Sequence, residues 1–170
     1  MKTGRFARVA AFVLLALPLL WACAQPPMSV GHMKRSPWSL EEPRSLVANF
    51  MRFDYQVQPV GDVAGIKGWA WLDTDRLPKW ATWIDSLVFS AYICEADGTV
   101  VAHDTRTFLP REAKPNEGIG FEFLLRPEQW GNRPLFVAFG YRLTLTEGRG
   151  AQGGPGGAGP FFVREDAITR

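Results

Sequence analysis

Thiolate chemistry is the most specific reactivity that the residue types suggest. Cys94 and His103 stand on the two arms of a hairpin centred on Asp97-Gly98, and a thiol becomes a nucleophile when a base lies within hydrogen-bond reach. Two loop lengths are available there. A two-residue loop makes Cys94 and His103 diagonal neighbours on one face, but it also turns Asp104 and Arg106 toward Phe89, Ala91 and Ile93. A three-residue loop, Ala96-Asp97-Gly98 with Gly98 left-handed and a bulge, sets Val101, His103 and Thr105 beside that apolar set and parts the dyad. Unpaired buried charges cost kilocalories each. The second pairing is therefore expected, with a packed Cys94 and a semi-buried His103 in place of a cysteine-dependent enzyme or redox centre.

Little else is equipped for catalysis. The other histidine, His32, lies inside the expected tether, so neither a triad nor a histidine-rich metal site is expected. Asp73 and Asp75 have the spacing that opens a calcium loop, but the third acidic position and the glycine are missing; capping a following helix accounts for them. Gly148-Arg149-Gly150 lacks the helix and lysine of a phosphate-binding loop. The chain is thus expected to hold no catalytic residue, cofactor or metal.

Aromatic side chains carry the one serious binding hypothesis. Trp69, Trp71, Trp80, Trp83 and Trp130 would suit a platform for a sugar ring or a groove for a peptide. Filling a small core is the expectation for most of them. Trp83 and Trp130 are the expected exceptions, hence the candidate ligand- or partner-binding residues.

The elements that must position these residues are strands. Phe53, Tyr55 and Val57 alternate with polar residues, and a turn at Gly61-Asp62 leads to a second strand, Val63 to Leu72, apolar on both faces near its end and so expected between covering elements. Leu77, Trp80, Ala81 and Ile84 have helical spacing, which predicts a short helix capped by Asp75. Hairpin strands Leu87 to Glu95 and Thr99 to Phe108 follow. Ile119, Phe121, Phe123 and Leu125 define a fifth strand, Leu135 to Thr146 a sixth and Phe161 to Val163 a seventh. Ser39 to Glu42 fits a capping box before Leu46, Val47 and Phe50, which suggests another short helix. The fold class expected is all-β: an antiparallel β-sandwich of about seven strands, immunoglobulin-like in size, with one short helix between strands two and three.

The N-terminus has a different character. Lys2, Arg5 and Arg8 precede an apolar run from Val9 to Leu20, too short at roughly 18 Å to cross a ~30 Å hydrocarbon core, and the small residues Ala22 and Ala24 flank Cys23. Leu20-Trp21-Ala22-Cys23 resembles the lipobox of bacterial lipoproteins. That resemblance implies removal of residues 1–22 and lipidation of Cys23, hence an exported, membrane-anchored protein. Ala24 after the cysteine favours the outer over the inner membrane in a Gram-negative host. Trp21 is bulkier than the usual residue at its place, and Ala22-x-Ala24 also suits an ordinary signal peptidase.

These segments divide the chain into a signal peptide (1–22), a lipidated cysteine and tether (23–44) and a β-sandwich domain (45–165) with a flexible glycine-rich loop at 147–160. Loss of Lys2, Arg5 and Arg8 turns the formal charge of +2 into −1, which offers nucleic acid no electrostatic attraction. With two cysteines, one of them at the cleavage site, no disulfide framework is available. The expected function is a cell-envelope lipoprotein with a non-catalytic binding or scaffolding domain, an accessory subunit of an envelope assembly. Its expected partners are the membrane, through the lipid, and an envelope protein. The alternative is a glycan- or peptidoglycan-binding module using exposed tryptophans.

Overall fold

The computed structural model describes residues 27–126 and 133–169. The expected signal peptide and lipidation site at Cys23 lie outside the described residues, as does Trp130. In chain order the strands are β1 (Met28–Ser29), β2 (Ser36–Pro37), β3 (Arg44–Val47), β4 (Met51–Val60), β5 (Val63–Leu72) and β6 (Trp83–Cys94). They continue with β7 (Val100–Phe108), β8 (Arg111–Glu112), β9 (Gly118–Leu125), β10 (Phe136–Thr146), β11 (Phe161–Glu165) and β12 (Ile168–Thr169). A four-stranded sheet, β3-β4-β5-β9, faces a six-stranded one built on β11-β10-β6-β7, with β2 and β8 pairing β10 and β6. The fold is an all-β antiparallel sandwich, and the seven expected strands form its body.

Alternation in the sequence places the core. Phe53, Tyr55 and Val57 of β4, Ile66 and Ala70 of β5, and Ile119, Phe121, Phe123 and Leu125 of β9 are buried against Phe89, Ala91 and Ile93 of β6 and Val137, Phe139, Tyr141, Leu143 and Leu145 of β10. Phe53 stacks on Phe139 at 4.7 Å across the two sheets, while Phe89 meets the Phe53 ring edge-on at 5.5 Å. Such aromatic pairs add to the apolar burial that holds the layers together.

Both predicted helices are replaced. Between β5 and β6 there is a single 3-10 turn, Thr74–Arg76, begun at Asp73 without a side-chain cap. Leu77, Ala81 and Ile84 do reach the core, but from a turn and a strand: Ile84 pairs with Arg111 and Leu145, and the Ala113 N–H donates to Thr82 O. Ladder bonds to two neighbouring strands supply more partners than one isolated turn of helix could. The residues Leu46 and Val47 lie in β3, paired with β4. Glu41 has φ +61°, incompatible with the expected helical start, and Ser39 donates its hydroxyl proton to the Glu42 carboxylate.

The segment expected as a tether is part of the fold from residue 27 onward. Val30 and Met33 are buried with Tyr92, Cys94 and Ala138 in a second cluster on the outer face of the six-stranded sheet. β1 pairs with β12, and the Val30 N–H donates to Gly98 O at 2.8 Å. The glycine-rich stretch also has local order: Glu147 N–H bonds Gly153 O, Gly154 N–H bonds Ala158 O, and Gly154 packs on the Trp80 indole.

The hairpin loop is the expected three-residue one, closed by Glu95 N–H to Thr99 O, with Gly98 at φ +88°. A further register shift between Ile93 and Cys94 then undoes its effect on the strands. Ala91 lies opposite Asp104, Phe89 opposite Arg106 and Tyr92 opposite His103. The expected pairing is thus corrected to the one that turns the charges inward. β7 is an edge strand, and its Asp104 and Arg106 bond backbone groups of β9, the edge of the other sheet: Leu124 N–H to Asp104 and Arg106 Nε–H to Glu122 O. Charges that would be orphaned in mid-sheet are satisfied at the seam.

Candidate functional site

Trp69 and Trp71 point outward from β5, while Ile66 and Ala70 point into the core. Their neighbours in register make a three-by-three array on the outer face of the four-stranded sheet. Its rows are Arg52–Trp71–Gly118, Asp54–Trp69–Gly120 and Gln56–Lys67–Glu122. No described element covers Trp69, which is 55% exposed. The expectation that this tryptophan fills the core is therefore wrong, and so is the expectation that β5 is covered on both faces.

Two glycines decide how the indoles lie. A Cβ on Gly118 would stand 3.0 Å from Cε3 of Trp69 and from Cη2 of Trp71, and one on Gly120 would stand 3.5 Å from Cζ3 of Trp69. The benzo ring of Trp69 thus lies over β9 where side chains would otherwise project. One ring face rests on backbone and the other meets solvent. Trp71 is held beside it under the Arg52 guanidinium, 5.5 Å from the ring centroid, a cation–π arrangement. Arg52 also pairs with Asp54 at 3.2 Å.

Alongside Trp69 is an open depression of about 680 Å³, with Asp54, Gln56, Lys67 and Glu122 on its floor and rim and Pro43 and Arg44 forming a wall. Gln56 donates to Glu41 O at 2.7 Å, and Arg44 pairs with Glu42 at 2.8 Å. The Ser39 hydroxyl and Arg44 hold the Glu42 carboxyl below its usual range. Acidic and basic groups are balanced around the indole. A stacking surface with a charge-balanced rim of donors and acceptors can bind.

The expected candidates fare differently. Trp83 is half-buried at the start of β6, between Glu112 and Thr146, away from the array. Trp80 is partly buried against the core. The signal that could have found the site was Gly118-x-Gly120: strand glycines opposite two tryptophans leave room for rings to lie flat.

Cys94 and His103 lie on the same face of the hairpin after all, since Tyr92 stands opposite His103. The dyad fails for another reason. Cys94 is fully buried, its thiol donates to Phe136 O at 3.6 Å, and burial pushes its pKa up to about 11. His103 is exposed and stacks on Tyr92 at 6.2 Å. Among the described residues no three His, Cys, Asp or Glu side chains cluster as metal ligands; Asp73 instead pairs with Arg76 at 3.1 Å.

Set against protein-family models, curated proteins and solved structures, the chain matches none of them.

Proposed function

We propose that this protein is an exported, lipid-anchored domain of the cell envelope that binds rather than catalyses, serving as an accessory subunit of an envelope assembly. The observation that carries the binding role is the open outer face of the four-stranded sheet, where Trp69 lies exposed on a bed of glycines. A tryptophan held flat in water forgoes apolar burial that a partner would supply. The buried thiol of Cys94 argues against thiolate catalysis. Support for the anchor is the lipobox-like Leu20-Trp21-Ala22-Cys23, with Ala24 favouring the outer membrane where there is one.

Growth with radioactive palmitate tests the anchor. The parent chain takes up label and Cys23→Ala does not; equal labelling refutes lipidation. Co-purification from detergent-solubilised membranes tests the binding role. An envelope protein held by the parent and released by Trp69→Ala supports it, whereas identical recoveries from both chains place the binding elsewhere.

A further inference from the structure

We infer that the Trp69 face is a subsite for an uncharged pyranose glycan, the sugar ring lying on the exposed face of the indole. This rests on the binding role proposed above and names the ligand for it.

Three independent features converge on that ligand. The first is geometry: Gly118 and Gly120 let the Trp69 ring lie along the sheet, so its free face is flat and open. The C–H groups on one side of a pyranose carry slight positive charge and pack on the negative face of an aromatic ring, whereas a ring presented edge-on offers no such surface. The second is the rim. Asp54 is beside Trp69 in register, and the row Gln56–Lys67–Glu122 runs parallel to it, two residues along the strands at roughly 7 Å. Carboxylate, amide and ammonium groups at that reach suit the hydroxyls around a sugar stacked on the indole. The depression over these residues gives the ring room.

The third feature is charge. Arg52 is offset by Asp54, and Lys67 stands opposite Glu122. A polyanion would meet as many acidic as basic groups, so sulfated or uronic-acid chains and single-stranded nucleic acid, which bind through basic grooves, are disfavoured against a neutral ligand. An extended peptide adding to the sheet would need a free edge rather than a face.

The test is titration of the folded protein with two neutral tetrasaccharides, one of glucose and one of N-acetylglucosamine, followed by tryptophan fluorescence and calorimetry. At least one is expected to give a saturable signal that changes less than about threefold between 50 mM and 500 mM salt. Trp69→Ala is expected to weaken binding by about tenfold or more while the protein stays folded at the assay temperature, as its circular dichroism would show. Trp69→Phe is expected to restore part of the affinity. Absence of a saturable response to both sugars overturns the inference, as does binding that survives Trp69→Ala or collapses with salt. An envelope protein released by Trp69→Ala, with no response to either sugar, overturns the glycan while leaving the binding role intact.

Discussion

Asp104 on β7 accepts the backbone N–H of Leu124 on β9 at 3.2 Å, closing one side of the sandwich by joining the edges of its two sheets. The same carboxylate holds Arg106 at 2.9 Å. Edge strands with inward-pointing charges resist pairing with other molecules, and here the charge is also satisfied within the fold. Asp104→Ala leaves the Leu124 N–H and the Arg106 guanidinium without this acceptor, so a loss of about 1–3 kcal/mol is expected in urea denaturation. Asp104→Asn keeps an acceptor and loses less. No change for Asp104→Ala would show that the seam contributes nothing.

Stability should fall at alkaline pH. Burial pushes the Cys94 thiol up to about 11 and the Tyr141 phenol up to about 12; burial, together with the Asp166 carboxylate that accepts the Tyr92 hydroxyl hydrogen bond, pushes the Tyr92 phenol up to about 12. In each case the folded state binds the proton more tightly than the unfolded chain does. The stabilisation is complete below the unfolded pKa values, about 9 for the thiol and 10 for the phenols, and is lost as pH rises through the folded values. Denaturation midpoints should therefore decline from pH 9 upward. Cys94→Ala removes the earliest part of that decline; a midpoint flat from pH 8 to 11 in the parent would contradict this account.

Thiol reagents should distinguish a buried from an open cysteine. In Cys23→Ala the sole thiol is Cys94, which is enclosed by Val30, Met33, Tyr92 and Ala138. Its reaction with an aromatic disulfide should be at least about a hundredfold slower than in denaturant, because attack must wait for an opening of the fold. Labelling at the denatured rate would mean that the N-terminal segment does not cover it.

Gly98 should be intolerant of any side chain. Its φ of +88° disfavours L-residues, and a Cβ there would come 2.5 Å from the Cα of Gly31. Gly98→Ala is expected to cost about 2 kcal/mol or more and to lift the segment 28–35 off the sheet. Trypsin would then cut after Lys34 and Arg35 well before the sandwich is digested. Parent-like resistance at those two sites would refute the contact.

Strands were legible where apolar and polar residues alternate, as in β4, β9 and β10, because burial of one sheet face imposes that period. The helix expected over Leu77 to Ile84 was not, since several turn-and-strand paths deliver the same side chains to the core. The loop at Gly98 could be read from its residues, but the bulge behind it could not: what satisfies Asp104 is the backbone of Leu124 in a different sheet. Trp69 was missed for a related reason. An apolar side chain looks like core until the strands beside it are known, and the glycines that shape its surroundings lie some fifty residues away.

The segment clasped between β12 and the hairpin tip also has a mechanical meaning. Met28 stands five positions after Cys23, a contour of about 17 Å at full extension. A pull on the chain ahead of Met28 falls first on the two-residue β1–β12 ladder, the Val30–Gly98 bond and the buried Val30 and Met33 side chains, before it reaches the long strands of the sandwich. Yielding there would free the chain up to β2 and lengthen the leash to about 43 Å. On the anchor proposed above, the clasp would act as a mechanical fuse, setting how far the domain could travel before its core felt the strain.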